Sequence, residues 1–528
     1  MSVSLAQAIY SAVKPIIRMY LIILTGLFMT KMGFVSVATT RALSDLVLLL
    51  FMPALVFDKI VSYISIDDIK TIAVTCLSAF MMYCCNAGVT AVIVSLTPVP
   101  KKKNDSWIGG AMLAGIMQNV SDIPISYLQA LTVFSEDETN KGTAYVIIWL
   151  TMYLLVQFNC GMFQLVEYDF RRSHDVEEEP KPPALEPIAE EPGAVEDGDP
   201  ETASKQSLSN TSLSSSNSYE SARLEDLEPH ALVNDHEVHT LRAAVARIPS
   251  ARSHIDYGLS RTTSNASSIP SVVLSRQSSV QSGAQSHVQE LIREYSHNEP
   301  YNRNVPTNMK IITETNLSSK DIQNAGKSPF VRRYKLHYLI FFLENFKKPS
   351  STMLVVSLII ALIPWLKALF VQTDVYMPTP PDKEPPLSFL LQYADYCAAP
   401  CVPLGLFMIG CLLGRLEITA IPPGFWKSIL CHTAYRLCIL PIIGILWVYR
   451  LKSANWMTDS MAQFVTCLEF SLPSATVQVY LTASHMDPEK GTDTQINCLS
   501  LYIIAQYISL VVTLPIVVCY TLKNVIDI

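Results

Sequence analysis

Apolar positions along this 528-residue chain gather in two blocks, roughly 5–170 and 347–522, and the stretch between them holds no apolar run of spanning length. A helix needs about 20 apolar residues to cross a hydrocarbon core. Cut at their polar breaks, the blocks predict ten spans. Five lie at roughly 8–30, 39–60, 70–97, 107–134 and 143–168. Five more lie at roughly 350–371, 387–413, 424–449, 460–484 and 493–521. The predicted class is an all-α integral membrane protein. Lys14 and Arg18 interrupt the first apolar stretch and no small-residue cleavage site follows, so span one reads as a retained anchor.

Loop charges orient the spans, because Lys and Arg collect on the cytosolic side. Lys31, Arg41, Lys101-Lys102-Lys103, Arg171-Arg172, Arg332, Arg333, Lys347 and Lys348 all fall on one side if the N-terminus is outside. The other side receives Glu136-Asp137-Glu138, Asp374, Asp382 and Glu384, with Arg450 and Lys452 a mild exception. Both termini are expected outside and the long middle segment in the cytosol.

The two blocks also repeat one another. Adding 349 carries Pro15 to Pro364, Pro124 to Pro473 and Gln129 to Gln478. The same shift carries Lys141-Gly142-Thr143 to Lys490-Gly491-Thr492, Tyr153 to Tyr502 and Gln157 to Gln506. Adding 350 carries Asp45 to Asp395 and Pro53 to Pro403. Five spans per half is odd, so the second copy enters the membrane inverted, giving a 5+5 inverted repeat of the kind many secondary carriers use. The predicted domains are a first repeat at 1–170, a disordered cytosolic loop at 171–330, and an interfacial helix plus second repeat at 331–528.

The middle segment opens acidic at Glu177-Glu178-Glu179-Pro180 and continues serine-rich. It has too little apolar surface to fold by itself. Arg247-x-x-Ser250, Arg261-x-x-Ser264 and Arg276-x-x-Ser279 place an arginine three residues before a serine, a spacing open to a basic-directed kinase; the alternative is an ordinary solvated linker, in which such short matches are common. Residues 331–346 read either as an amphipathic helix at the inner surface or as an extension of span six.

Composition adds exclusions. The net charge of −7 arises mostly in the loop, and no basic patch suggests nucleic acid. All twelve cysteines lie in the apolar blocks; Cys397-x-x-x-Cys401 lacks a second pair, so neither a metal site nor a disulfide framework is predicted. No His-Glu-x-x-His or Gly-x-Ser-x-Gly is present, and no enzyme or cofactor is expected.

Candidate chemistry sits in spans four and nine. Span four carries Gln118-Asn119-Val120-Ser121-Asp122-Ile123-Pro124, and span nine carries Glu469-Phe470-Ser471-Leu472-Pro473-Ser474-Ala475-Thr476 at the matching place. A proline removes a backbone donor and crowds the preceding turn, and broken backbone persists in a membrane where it lines a cavity or is buried in protein. Each break frees a half-helix N-terminus, which favours an anion. Two proline-broken helices in inverted halves are expected to cross near the midplane. The substrate-binding candidates are Asn119, Asp122, Ile123, Pro124, Leu472, Pro473, Ser474 and Thr476. Asp122 and Glu469 are candidates for binding a proton or coupling cation, with Asp122 alternatively a cap on the second half-helix. Gln129 and Gln478 either line the path or bridge helices. Asp45 and Asp395 lie at the mouths or at repeat contacts.

These segments resemble the auxin efflux carrier superfamily, which includes plant PIN carriers, the PIN-LIKES proteins and fungal transporters. The likeness rests on Asn119-x-x-Asp122-Ile123-Pro124, Leu472-Pro473, Thr513-Leu514-Pro515, Val166-Glu167-Tyr168 and Pro53-Ala54-Leu55, in order over both blocks. Asp122 departs from the second asparagine common in that family. The resemblance implies a scaffold of spans one, two, six and seven beside a transport domain of spans three to five and eight to ten. It implies export or sequestration of a small organic anion, auxin-like or another carboxylate, by an elevator movement, in the endoplasmic reticulum or another endomembrane, and a homodimer. A channel, or a signalling scaffold acting through the loop, is the alternative.

Overall fold

The computed structural model describes residues 5–101, 106–177, 287–295, 336–378, 380–417, 421–486 and 494–526. Ser250, Ser264, Ser279 and Lys490-Gly491-Thr492 lie outside the described residues. The helices in chain order are α1 (Leu5–Lys31), α2 (Val37–Tyr63), α3 (Ile69–Leu96), α4 (Ile108–Ile116), α5 (Asp122–Ala130), α6 (Glu136–Leu154) and α7 (Gln164–Glu177). Then come α8 (His287–Tyr295), α9 (His337–Asn345), α10 (Pro349–Leu362), α11 (Ser388–Arg415) and α12 (Trp426–Ser453). The last three are α13 (Ser460–Glu469), α14 (Val477–Ser484) and α15 (Thr494–Asn524). No strand occurs among the described residues, only one isolated bridge.

Among the described residues, seven stretches are long and apolar enough to cross a bilayer: Ile9–Lys31, Val37–Tyr63, Ile66–Leu96, Glu136–Phe170, Ser388–Arg415, Trp426–Ser453 and Thr494–Asn524. The protein is an integral, multi-pass membrane protein. The other three predicted spans are built differently. Residues 350–371 hold the shorter helix α10 and a single turn at Pro364–Lys367. Residues 107–134 and 460–484 each hold two short helices with extended chain between them.

The sequence explains where these helices begin and how they pack. Ser135 and Glu138 form a reciprocal capping box at the start of α6, with Glu138 N donating to Ser135 Oγ at 3.3 Å and Ser135 N to Glu138 Oε2 at 2.8 Å. Helix α1 is apolar on two faces. Ala12, Ile16, Met19 and Ile23 are buried, whereas Tyr10, Ile17, Leu21, Leu24 and Phe28 stand exposed for lipid. It packs along α11 through glycines: a Cβ at Gly26 would collide with the Phe407 carbonyl, and one at Gly410 with the Ile23 carbonyl. Such small-residue contacts let membrane helices approach closely where no hydrophobic force drives them together. Helix α2 packs on both α10 and α11, while α4 and α6 lie against α3. The helix within the expected disordered segment, α8, packs onto α2, α11 and α14. Of the amphipathic reading of 331–346, His337–Asn345 is helical and 331–335 lie outside the described residues.

Candidate functional site

The α4–α5 and α13–α14 pairs meet at their interruptions. Residues 117–121 and 470–476 run antiparallel, Gln118 opposite Ser474. Asn119 N donates to Pro473 O at 2.9 Å, and Ala475 N to Met117 O at 3.3 Å. Each interruption thus satisfies part of the other's backbone, which a hydrocarbon surrounding would leave unpaired at a cost of several kcal/mol per group. Pro473 lies inside its interruption. Pro124 does not interrupt a helix: it is the third residue of α5, in the first turn, where a missing N–H leaves no hydrogen bond unmade.

A helix runs short of backbone donors at its C-terminal end, and side chains from three other segments donate to all four of the last carbonyls of α4, Leu113 O in addition to the Met117 N–H at 3.0 Å. Leu113 O accepts from Gln478 Nε2 at 3.1 Å, Ala114 O from Ser474 Oγ at 2.6 Å, and Ile116 O from Asn86 Nδ2 at 3.1 Å. Gly115 O accepts from the Arg436 guanidinium, whose Nη1 also donates to Gln118 Oε1 at 3.0 Å. A cation at a helix C-terminus complements the dipole as well. Tyr435 donates to Asn86 Oδ1 at 3.0 Å, Gln118 Nε2 to Glu469 O, and Ser474 N to Gln506 Oε1 at 2.7 Å. Asn86, Gln118, Arg436, Ser474 and Gln506 are all fully buried.

The N-termini divide into two kinds. That of α4 is occupied by Asp169, which accepts from Gly109 N at 3.0 Å and Gly110 N at 2.8 Å. That of α13 is occupied by Asp459, which accepts from Met461 N at 2.8 Å and Ala462 N at 3.1 Å. Burial alone would raise the Asp459 carboxyl, but Lys141 at 2.7 Å, these amides and the Tyr145 hydroxyl hold it below the usual carboxylate value. Among the described residues, the N-termini of α5 and α14 have no side-chain cap from Ser121 or Thr476. Both open onto one cavity of about 150 Å³, lined by residues 118–122 and 475–477 together with Val47, Leu48 and Met52 of α2, Tyr153, Phe158, and Gly405 and Met408 of α11. That volume is of the order that holds one aromatic ring.

Of the residues singled out from sequence, Asn119, Asp122 and Thr476 line this cavity. Asn119 Nδ2 donates to Tyr507 Oη at 3.3 Å, and the Asp122 carboxylate faces Gly405 so closely that a Cβ there would overlap it. Ile123, Leu472 and Ser474 are fully buried behind the lining, and Pro124 is buried with them. Glu469 is fully buried at the end of α13, and neither carboxylate oxygen has a hydrogen-bond partner among the described residues. Gln478 bridges helices, whereas Gln129 is exposed. Asp395 is largely exposed and lies 3.7 Å from Lys59, which also pairs with Asp58 at 2.7 Å, joining α2 to α11; Asp45 is half-buried on α2. Sequence reasoning passed over Asn86, Arg436 and Lys59. The available signal was a lone cation or amide inside an apolar span.

Compared with known proteins, the chain matches the family described as "Membrane transport protein" over residues 11–517. In Saccharomyces cerevisiae it is similar to uncharacterized transporter YNL095C and protein ECM3, each at 32% identity, and to uncharacterized transporter YLR152C at 34%. Each of these alignments covers 99% of both chains.

Proposed function

We propose, from the premise that the chain belongs to the membrane transport protein family, the auxin efflux carrier superfamily in its fungal form, that it moves a small organic anion by alternating access through the cavity at the crossing. The observation that carries this reading is the pair of uncapped N-termini. Four half-helices meet here; protein carboxylates occupy the N-termini of α4 and α13, while among the described residues those of α5 and α14 carry no side-chain cap and turn their positive dipole ends to one cavity. An auxin-like or other carboxylate presents the complementary charge, and Asn119 and Thr476 supply donors and acceptors beside it. The apolar remainder of the lining suits a hydrocarbon or aromatic body.

In this reading the architecture is ten spans as a 5+5 inverted repeat. Helices α1, α2, α10 and α11 form a stationary wall, and the rest travel as an elevator carrying the crossing. Asp122 is the proton- or cation-coupling group, because its charge in the first turn of α5 competes with an anionic substrate for the same N-terminus. Neutralising it, by proton or cation, frees the site; Glu469 is the second candidate. An endomembrane such as the endoplasmic reticulum, a homodimer and kinase modification of Ser250, Ser264 and Ser279 complete the proposal.

Reconstitution into liposomes tests it, with labelled indole-3-acetate and a panel of simple carboxylates, with and without a pH gradient. Saturable uptake with counterflow is expected, and loss of most of it in Asn119→Ala and Pro473→Ala. Uptake unchanged in both variants would place the site elsewhere, and flux without counterflow would indicate a channel.

A further inference from the structure

Helix α8 comes from the segment joining the two repeats, yet it is built into the membrane unit. Its apolar residues Val288, Leu291, Ile292 and Tyr295 follow the spacing of one helical face, and all four are buried. Nine residues are too few to hold a helix in water without tertiary packing, so this helix depends on what it docks against.

It docks on three elements, and each contact has a specific anchor. On α2, Arg41 Nη1 donates to Glu294 O, lies 3.5 Å from Glu294 Oε1, and places its guanidinium 5.2 Å from the centre of the Tyr295 ring. Beyond the end of α11, Glu417 Oε1 accepts from His287 N at 3.1 Å. On α14, the Tyr480 ring centre lies 4.8 Å from that of Tyr295. Tyr480 also lines the cavity at the crossing, as do residues of α2 and α11. Helix α8 itself does not line the cavity. It spans from the wall made by α2 and α11 to the half-helix α14 that helps form the crossing.

We propose that α8 is a brace: a helix supplied by the cytosolic segment that, while docked, ties α14 to α2 and α11 and holds the site on one side of the membrane. This rests on the alternating-access reading above. If the crossing moves relative to α2 and α11, at least one of the three anchors must release first. The segment between the repeats then sets the rate at which the site changes sides, through a surface fitted to an amphipathic helix with a C-terminal tyrosine.

The test uses the full chain carrying Ser121→Cys, a cavity-lining position, in oriented proteoliposomes. A membrane-impermeant maleimide is added on the extracytosolic side, and modification of the introduced thiol is read by peptide mass. Hydrogen exchange of 287–295 is followed in parallel. Leu291→Ser with Tyr295→Ala, and separately Arg41→Gln, are expected to speed exchange of 287–295 and labelling at position 121 at least fivefold. Arg41→Gln carries the test if the double variant does not fold. Released α8 with an unchanged labelling rate overturns the brace, as does a segment 287–295 that already exchanges like free peptide in the parent. Uptake insensitive to Asn119→Ala, alongside accelerated labelling, would instead remove the proposed substrate site and keep the brace.

Discussion

Arg436→Met removes the guanidinium by which α12 holds the end of α4, at Gly115 O, and the interruption after it, at Gln118 Oε1. The remaining acceptor near it, Ala114 O, keeps Ser474 Oγ at 2.6 Å and so loses little. Hydrogen bonds from a charged donor contribute about 1.5–3 kcal/mol each, so two amount to at least about 3 kcal/mol. The usual offset for removing a buried charge is relief of its desolvation cost. That offset is small for local opening of the crossing, because the guanidinium remains inside the membrane unit in both states. The full amount of about 3 kcal/mol therefore falls on opening, a rate increase of roughly 100-fold at about 1.4 kcal/mol per tenfold. Hydrogen exchange at the amides of 113–119 and 474–476 in purified protein reads it directly. Arg436→Lys keeps the charge but offers an ammonium in place of a fork, so about half the effect, near tenfold, is expected. Exchange of the methionine variant within threefold of the parent, or a lysine variant indistinguishable from it, would refute the assignment of Arg436 as the tie between α12 and the crossing.

Other expectations follow from the same geometry. Asp459 has its carboxyl held below the usual value, so its contribution to stability is present above the ordinary aspartate pKa of about 3.9 and is lost as pH falls through the lower folded value. Asp459→Asn should melt below the parent at neutral pH, with the gap closing in strong acid; a gap that persists there contradicts the assignment. Gly405→Ala pushes the Asp122 carboxylate off α11, the movable end of a side chain, so melting should hold while uptake or its pH dependence changes. Gly410→Val drives a side chain into the Ile23 backbone, and a loss of about 1–3 kcal/mol with early melting is expected. Asp122→Asn should abolish any dependence of uptake on a pH gradient, and a retained pH profile rules it out as the proton site.

Much of this was legible from residue patterns, for reasons that also mark where legibility stopped. Spans such as α1, α3 and α15 are long apolar runs, and length against bilayer thickness identifies them without reference to partners. The two interruptions were visible because Pro124 and Pro473 sit among polar residues at matching offsets. Their mechanics were not: Pro124 opens α5, and the chain is held extended at 117–121 by bonds to a segment some 350 residues away. Arg436 was overlooked because nothing local distinguishes a cation that ties one span to the crossing from a stray cation in a span. Helix α8 was missed because composition averaged over the loop hides nine residues, although Val288, Leu291, Ile292 and Tyr295 already carry helical spacing.

Three π-turns occur among the described residues, at Val47–Phe51 within α2, Tyr435–Ile439 within α12 and Leu155–Asn159 directly after α6, and each places residues at the cavity or the crossing: Val47 and Leu48, Tyr435 with Arg436, and Phe158. Each wider turn accommodates an extra residue in the helical winding. Deleting one residue there can restore α-helical winding with the flanking turns kept in about their present orientation, because the wider turn had already absorbed the extra residue, so the change falls on the side chains of the turn itself. A lineage under pressure to handle a differently shaped cargo thus has three places where losing a single codon changes the side chains at the pocket or the crossing and leaves the flanking helix in register. Indels in these membrane segments, ordinarily the least tolerated changes, become a route by which the family can diversify.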